Sequence, residues 1–146
     1  MRTRLLVPLL AAGALLVLAA SASAAPFVAH FSAPNHTPKA GKAWPVTVTA
    51  KSKSGKKLHA TALYEIMEPS INYVCKEGPD PGHPSTSDAC GAGRRGHKPW
   101  SFFGVMHDRT YIWPRRAVNF PLILRTVVTV KGLGTINLDW HVKVHA

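Results

Sequence analysis

The chain has 146 residues, with 18 Lys and Arg against seven Asp and Glu, and a formal charge of +11. That length fits one domain, and a hydrophobic share of 46% is enough to build a core, which excludes wholesale disorder. Two cysteines exclude a cysteine-rich scaffold and a zinc site of four thiolates.

Arg2 and Arg4 precede a non-polar run over residues 5–20, followed by Ser21-Ala22-Ser23-Ala24-Ala25. A basic start, an apolar middle and a small-residue cleavage pattern predict a secretory signal peptide over residues 1–24. The run is shorter than the roughly 20 apolar residues of a spanning helix. The expectation is a secreted or periplasmic protein with no transmembrane anchor after cleavage. Losing Arg2 and Arg4 leaves the chain strongly basic. Nucleic acid is not an expected partner in that compartment. An anionic cell-envelope polymer or a protein partner is the expected counter-surface instead.

Residues 25–146 read as one domain. Residues 27–31 predict a short first strand. Trp44, Val46, Val48 and Ala50 then alternate with Pro45, Thr47, Thr49 and Lys51. Period two marks a half-buried strand. Ser52-Lys53-Ser54-Gly55-Lys56 supplies a turn, and Leu58, Ala60, Ala62, Tyr64 and Ile66 alternate again beyond it. Residues 44–67 therefore predict a β-hairpin. Residues 69–99 break the pattern, because ten of the 31 positions are Pro or Gly, and an irregular insertion is expected. Both cysteines fall inside it. In an exported chain Cys75 and Cys90 predict a disulfide that ties the insertion down locally.

Residues 100–105 and 110–113 predict short strands. Leu122, Leu124, Thr126, Val128 and Val130 form one dry face, and Ile136, Leu138, Trp140, Val142 and Val144 form another. The glycines of Lys131-Gly132-Leu133-Gly134 permit a tight turn between them, so 121–145 predicts a second hairpin. The expected fold is all-β: an immunoglobulin-like β-sandwich of about seven strands with an irregular disulfide-tied insertion at 69–99. A small open barrel is the alternative.

Catalytic patterns are absent from the sequence. Glu65 and Glu68 lie three apart on a strand and face opposite sides, so they form no carboxylate pair. No G-x-S-x-G elbow, phosphate loop or dinucleotide fingerprint occurs. Eight histidines raise the question of copper or zinc. His141 and His145 share a strand face but stand roughly 13 Å apart, too far for one ion. Met106, His107 and Asp108 are the nearest approach to a local metal group. No metal site and no cofactor are expected. Basic residues cluster instead: Lys53, Lys56 and Lys57 at the first turn, Arg94, Arg95 and Lys98 in the insertion, and Arg115 with Arg116 before the last hairpin. If these share one end of the sandwich, they form an anion- or partner-binding surface.

Two segments carry a resemblance. Ala40-Gly41-Lys42-Ala43-Trp44-Pro45-Val46-Thr47-Val48-Thr49 with Ser54-Gly55-Lys56-Lys57-Leu58, and Gly134-Thr135 leading into Leu138-Asp139-Trp140, resemble the strands of small exported bacterial immunoglobulin-like domains. The first segment is also similar to the YtkA-like family, for which a metal-related role would be implied. Together these features predict an exported, non-catalytic binding or structural module with a basic surface. The alternative is an extracytoplasmic copper- or zinc-binding protein using His and Met side chains.

Overall fold

The computed structural model describes residues 25–82, 90 and 96–146; the expected signal peptide lies outside the described residues. Eight strands follow in order: β1 (Phe27–Ser32), β2 (Val46–Ser52), β3 (His59–Glu68), β4 (Tyr73–Glu77), β5 (Trp100–Phe103), β6 (Val105–Asp108), β7 (Pro121–Val130) and β8 (Gly134–Lys143). They form two antiparallel sheets. One has the order β1-β2-β6, and the other β4-β3-β7-β8, with β5 also paired to β3. The all-β expectation therefore holds.

The alternation in the sequence becomes the interior. Val46, Val48 and Ala50 of β2 join Phe27 and Phe31 of β1, Ala60, Ala62, Tyr64 and Ile66 of β3, and Leu122, Leu124, Val128 and Val130 of β7 in one buried cluster. Removing these faces from water is the main force holding the sheets together, at about 25 cal/mol per Å² of apolar surface. β7 and β8 form the expected hairpin, with Val130 opposite Gly134 at its turn.

Three expectations are corrected. Residues 44–67 do not form a hairpin, because β2 and β3 belong to different sheets. They begin as one, with the Ser52 and Leu58 amides donating to the carbonyls of Lys56 and Ala50. Then β3 leaves to bury its apolar side against β2 rather than beside it. Gly104 makes the matching crossover between β5 and β6. Its φ is +70°, and a Cβ there would stand 2.6 Å from the Lys57 side chain. Only glycine fits both the angle and the space.

The second correction concerns residues 69–99, which are not wholly irregular. A 3₁₀ turn at Pro69–Ile71 leads into β4. β4 and β5 lie along the same edge of β3, with Glu77 opposite Tyr64 and Trp100 opposite Ala62. They are two halves of one edge strand, separated by the excursion 78–99. Third, residues 110–113 form no strand; Ile112 makes only an isolated bridge to Ala43.

The outward face of the larger sheet carries a charge row. Lys76, Glu65, Arg125 and Asp139 stand directly opposite one another on β4, β3, β7 and β8. Lys76 Nζ lies 3.3 Å from Glu65, and Arg125 clasps Asp139 through two bonds of 2.7 and 2.8 Å. Opposite charges in register favour this alignment over its one-residue slips. The edge of β8 is partly covered. Lys143 and His145 donate backbone bonds to the carbonyls of His36 and Pro38, and Ala40 donates back to His145.

Candidate anion-binding site

The antiparallel pairing puts two sets of connections at opposite ends. Residues 53–58 and 131–133 lie at one end, and residues 33–45, 69–72 and 109–120 at the other. The long connections of the second end are fixed by buried aromatics. Trp113 is fully buried, and its ring lies 5.8 Å from Trp44 and 5.4 Å from Tyr111. Tyr111 meets Tyr64 edge-on at 5.4 Å. The Trp44 amide donates to the Tyr111 carbonyl, and the Gly41 amide to that of Trp113. The two loops thus become one wall.

A buried polar network underlies that wall. Tyr64 Oη donates to Asp108 Oδ2 at 3.2 Å, while the Thr110 amide and hydroxyl donate to Oδ1, both at 3.1 Å. Burial pushes the Asp108 carboxyl up from its ordinary range, against the opposing pull of the Thr110 hydrogen bonds. Burial, followed by the charge of Asp108, pushes the Tyr64 hydroxyl well up. Thr110 Oγ1 also reaches the Asp80 carbonyl at 3.4 Å, and Glu77 Oε2 accepts from the Cys90 amide at 2.8 Å. The start of the excursion is thereby tied to the end of β6. The expected Cys75–Cys90 disulfide is present, with 5.5 Å between the Cα atoms. Cys75 sits on β4, so the bridge anchors the excursion to the sheet itself.

On the solvent side of this wall lies a concavity of about 700 Å³, lined by Lys39, Ala40, Gly41, Lys42, Arg115, Val118 and Ala146. Of the described residues among those expected to form the basic surface, Arg115 alone lines it. Arg116, its neighbour in the 3₁₀ turn Arg115–Ala117, lines a different and smaller cavity. Lys53, Lys56 and Lys57 stand exposed on the turn at the opposite end. Lys98 is exposed beside His97, which is bonded to the Lys76 carbonyl. Arg94 and Arg95 lie outside the described residues. The described residues anticipated as one surface are therefore divided between separate regions. Lys39 and Lys42 complete the concavity; their charge was legible, but their nearness to Arg115 was not.

The remaining candidates separate in the same way. Met106 and Asp108 point inward from β6, whereas His107 points outward and meets Thr47 Oγ1 at 3.1 Å. His36 donates from Nδ1 to the His141 carbonyl and stacks on Trp140 at 4.3 Å. Among the described residues no three His, Cys, Asp or Glu side chains converge as a metal-holding group.

No protein-family model, curated protein or solved structure matches the chain. The fold and the site alone define the class: a disulfide-bonded, two-sheet β protein with a basic concavity at its long-loop end. Among the described residues no helix is long and apolar enough to cross a membrane.

Proposed function

We propose that the protein is an exported, non-catalytic binding module that takes up an anionic group of an envelope polymer or protein partner in the Lys39–Lys42–Arg115 concavity. The observation carrying this reading is that three cationic residues line one hollow whose described lining residues include no Asp or Glu. A concave wall holds a ligand against several charges at once, whereas isolated lysines on a turn act singly and are screened by salt. The pairing of β1 with β2 and β6, opposite β3 with β7 and β8, supports an immunoglobulin-type sandwich as the scaffold. The Cys75–Cys90 bridge fits an oxidising compartment and so supports export.

The test is elution from a polyphosphate resin along a salt gradient. Alanine at Lys39, Lys42 and Arg115 together is expected to weaken retention by about 1–2 kcal/mol, roughly tenfold. Alanine at Lys53, Lys56 and Lys57 removes the same charge and is expected to change it much less. Equal shifts for the two variants would mean that net charge alone governs retention, and the reading would fail.

A further inference from the structure

We propose that the long-loop end docks on the surface of an anionic lipid bilayer, with Ile71, Tyr73 and Phe120 entering the headgroup layer and the cations beside them meeting lipid phosphates. The observation behind it is an apolar groove with no role in the basic concavity. Ile71, Tyr73 and Phe120 are 69, 53 and 50% exposed, among the most exposed large apolar side chains of the described residues. All three line one groove of about 170 Å³, together with the buried Ile66 and Leu122. Exposed apolar side chains gathered in one place mark an interaction surface, whereas scattered ones need no account.

These side chains stand on loops that the fold holds in place. Ile71 ends the 3₁₀ turn Pro69–Ile71, which Glu68 caps: Oε1 accepts from the Ser70 amide at 3.0 Å and the Ser70 hydroxyl at 2.6 Å. The other oxygen of Glu68, Oε2, is buried and has no hydrogen-bond partner among the described residues. Phe120 follows the turn Arg115–Ala117; its amide donates to the Ala117 carbonyl, and that of Asn119 to the Val144 carbonyl at 2.9 Å. A surface already in place loses little freedom on docking.

Charge adjoins the groove. The turn Arg115–Ala117 separates it from the basic concavity: Arg116 lines the groove, and Arg115 lines the concavity with Lys39 and Lys42. All four are exposed, as is Lys143, opposite Pro121 at the start of β7. Of the described acids at this end, Glu68 and Asp108 are buried and Asp80 is half-buried. A phosphate polymer would meet the cations but leave three apolar side chains in water. A bilayer surface supplies both partners: its anionic headgroups attract Lys and Arg, and the layer beneath takes apolar side chains. Tyrosine, with an apolar ring and a polar tip, suits that boundary. The three side chains come from two separate loops, and a fluid layer receives them without a matching outline. Arg115, Lys39 and Lys42 enter through the anion-site reading; the groove is independent of it.

The test is co-sedimentation of the protein, recovered from a secreting host, with vesicles of equal parts phosphatidylglycerol and phosphatidylcholine, and with vesicles of phosphatidylcholine alone. Binding to the anionic vesicles is expected to be roughly tenfold stronger or more, and to fall several-fold from low to physiological salt. Ile71→Ala with Phe120→Ala is expected to weaken it about tenfold, with cooperative melting retained because both side chains are exposed. Should that pair fail to fold, Ile71→Ser alone is expected to weaken it several-fold. Val28→Ala with Leu133→Ala removes exposed apolar side chains elsewhere and is expected to change it little. The Ile71 and Phe120 variant is expected to keep the parent's retention on polyphosphate, which distinguishes this docking from anion binding alone. No binding to anionic vesicles, equal binding to both kinds, or equal losses for the two alanine pairs would overturn the proposal, and retention on polyphosphate that still depended on Lys39, Lys42 and Arg115 would then leave the anion-site reading standing.

Discussion

The two ends of the sandwich carry similar basic charge but treat it differently. At the short-turn end, Lys53, Lys56 and Lys57 ride on a connection of a few residues, and each side chain stands in water. At the other end, 33–45 and 109–120 fold back over Trp44, Tyr111 and Trp113, and Lys39, Lys42 and Arg115, although exposed as well, line a common hollow. The difference lies in the walls, not in the number of cations. A loop becomes a wall only when its own side chains are buried deeply enough to hold its backbone in place. The aromatics that fix the shape of the hollow are thus as much part of the site as the charges around it.

That contrast can be broken most directly at Trp113. Trp113→Ala removes a fully buried ring and is expected to cost about 3–5 kcal/mol in urea unfolding. Leu133→Ala at the other end, 39% exposed, is expected to cost less than about 1 kcal/mol. Comparable losses would mean that the long-loop end is no more firmly built than the short-turn end.

Next in size is the disulfide. Replacing Cys75 and Cys90 with alanine is expected to lower stability by about 3 kcal/mol, the value for a loop of this length. Because Cys90 also donates its amide to Glu77, the loss should reach the network beside Tyr64 as well. Near-ultraviolet circular dichroism of the tyrosines reads this.

A smaller effect is expected at Asp108, where its direction is the informative quantity. Burial raises its pKa in the folded protein, so the native state holds this proton more firmly than the unfolded chain does. That contribution is complete below the ordinary carboxylate value of about 3.9 and is lost as pH climbs through the raised folded value. Asp108→Asn keeps donors and acceptors near Tyr64 and Thr110. Its stability relative to the parent is expected to improve as pH rises across that window, measured by urea midpoints. A difference that stays flat would show that the carboxyl is ionised without penalty.

The smallest effect is expected at Asp139, whose carboxyl is held below its ordinary range by the Arg125 hydrogen bonds. Its sign is opposite: the contribution is present above the ordinary value and lost as pH falls through the lowered one. Both side chains are partly exposed, so Asp139→Asn should cost no more than about 1 kcal/mol, and less at high salt.

Much of the framework was legible because period-two alternation reports burial directly. Val128 and Val130, or Val142 and Val144, face inward as their spacing requires. The same alternation is silent about which sheet a strand joins, so the chain from Trp44 to Ile66 reads as a hairpin although β3 departs to the other side. β4 was hidden because Tyr73, Val74 and Cys75 sit among prolines and glycines; they become a strand only because β3 offers them an edge. Glu68 could be assigned to the face opposite Glu65, but its orphaned oxygen follows from the closing of the 3₁₀ turn beside it. The basic hollow depends on bringing Lys39 and Lys42 to Arg115, residues far apart in the chain, which no local pattern encodes.

The interrupted edge strand has a practical consequence for protein engineering. The excursion leaves and rejoins the sheet at adjacent points, and the Gly78 amide meets the Gly96 carbonyl at 2.8 Å across its neck. A foreign peptide inserted between those glycines, with Cys90 and its bridge to Cys75 kept, would enter and exit beside the β3 edge. The position is a ready graft point for displaying new recognition sequences on an unchanged scaffold.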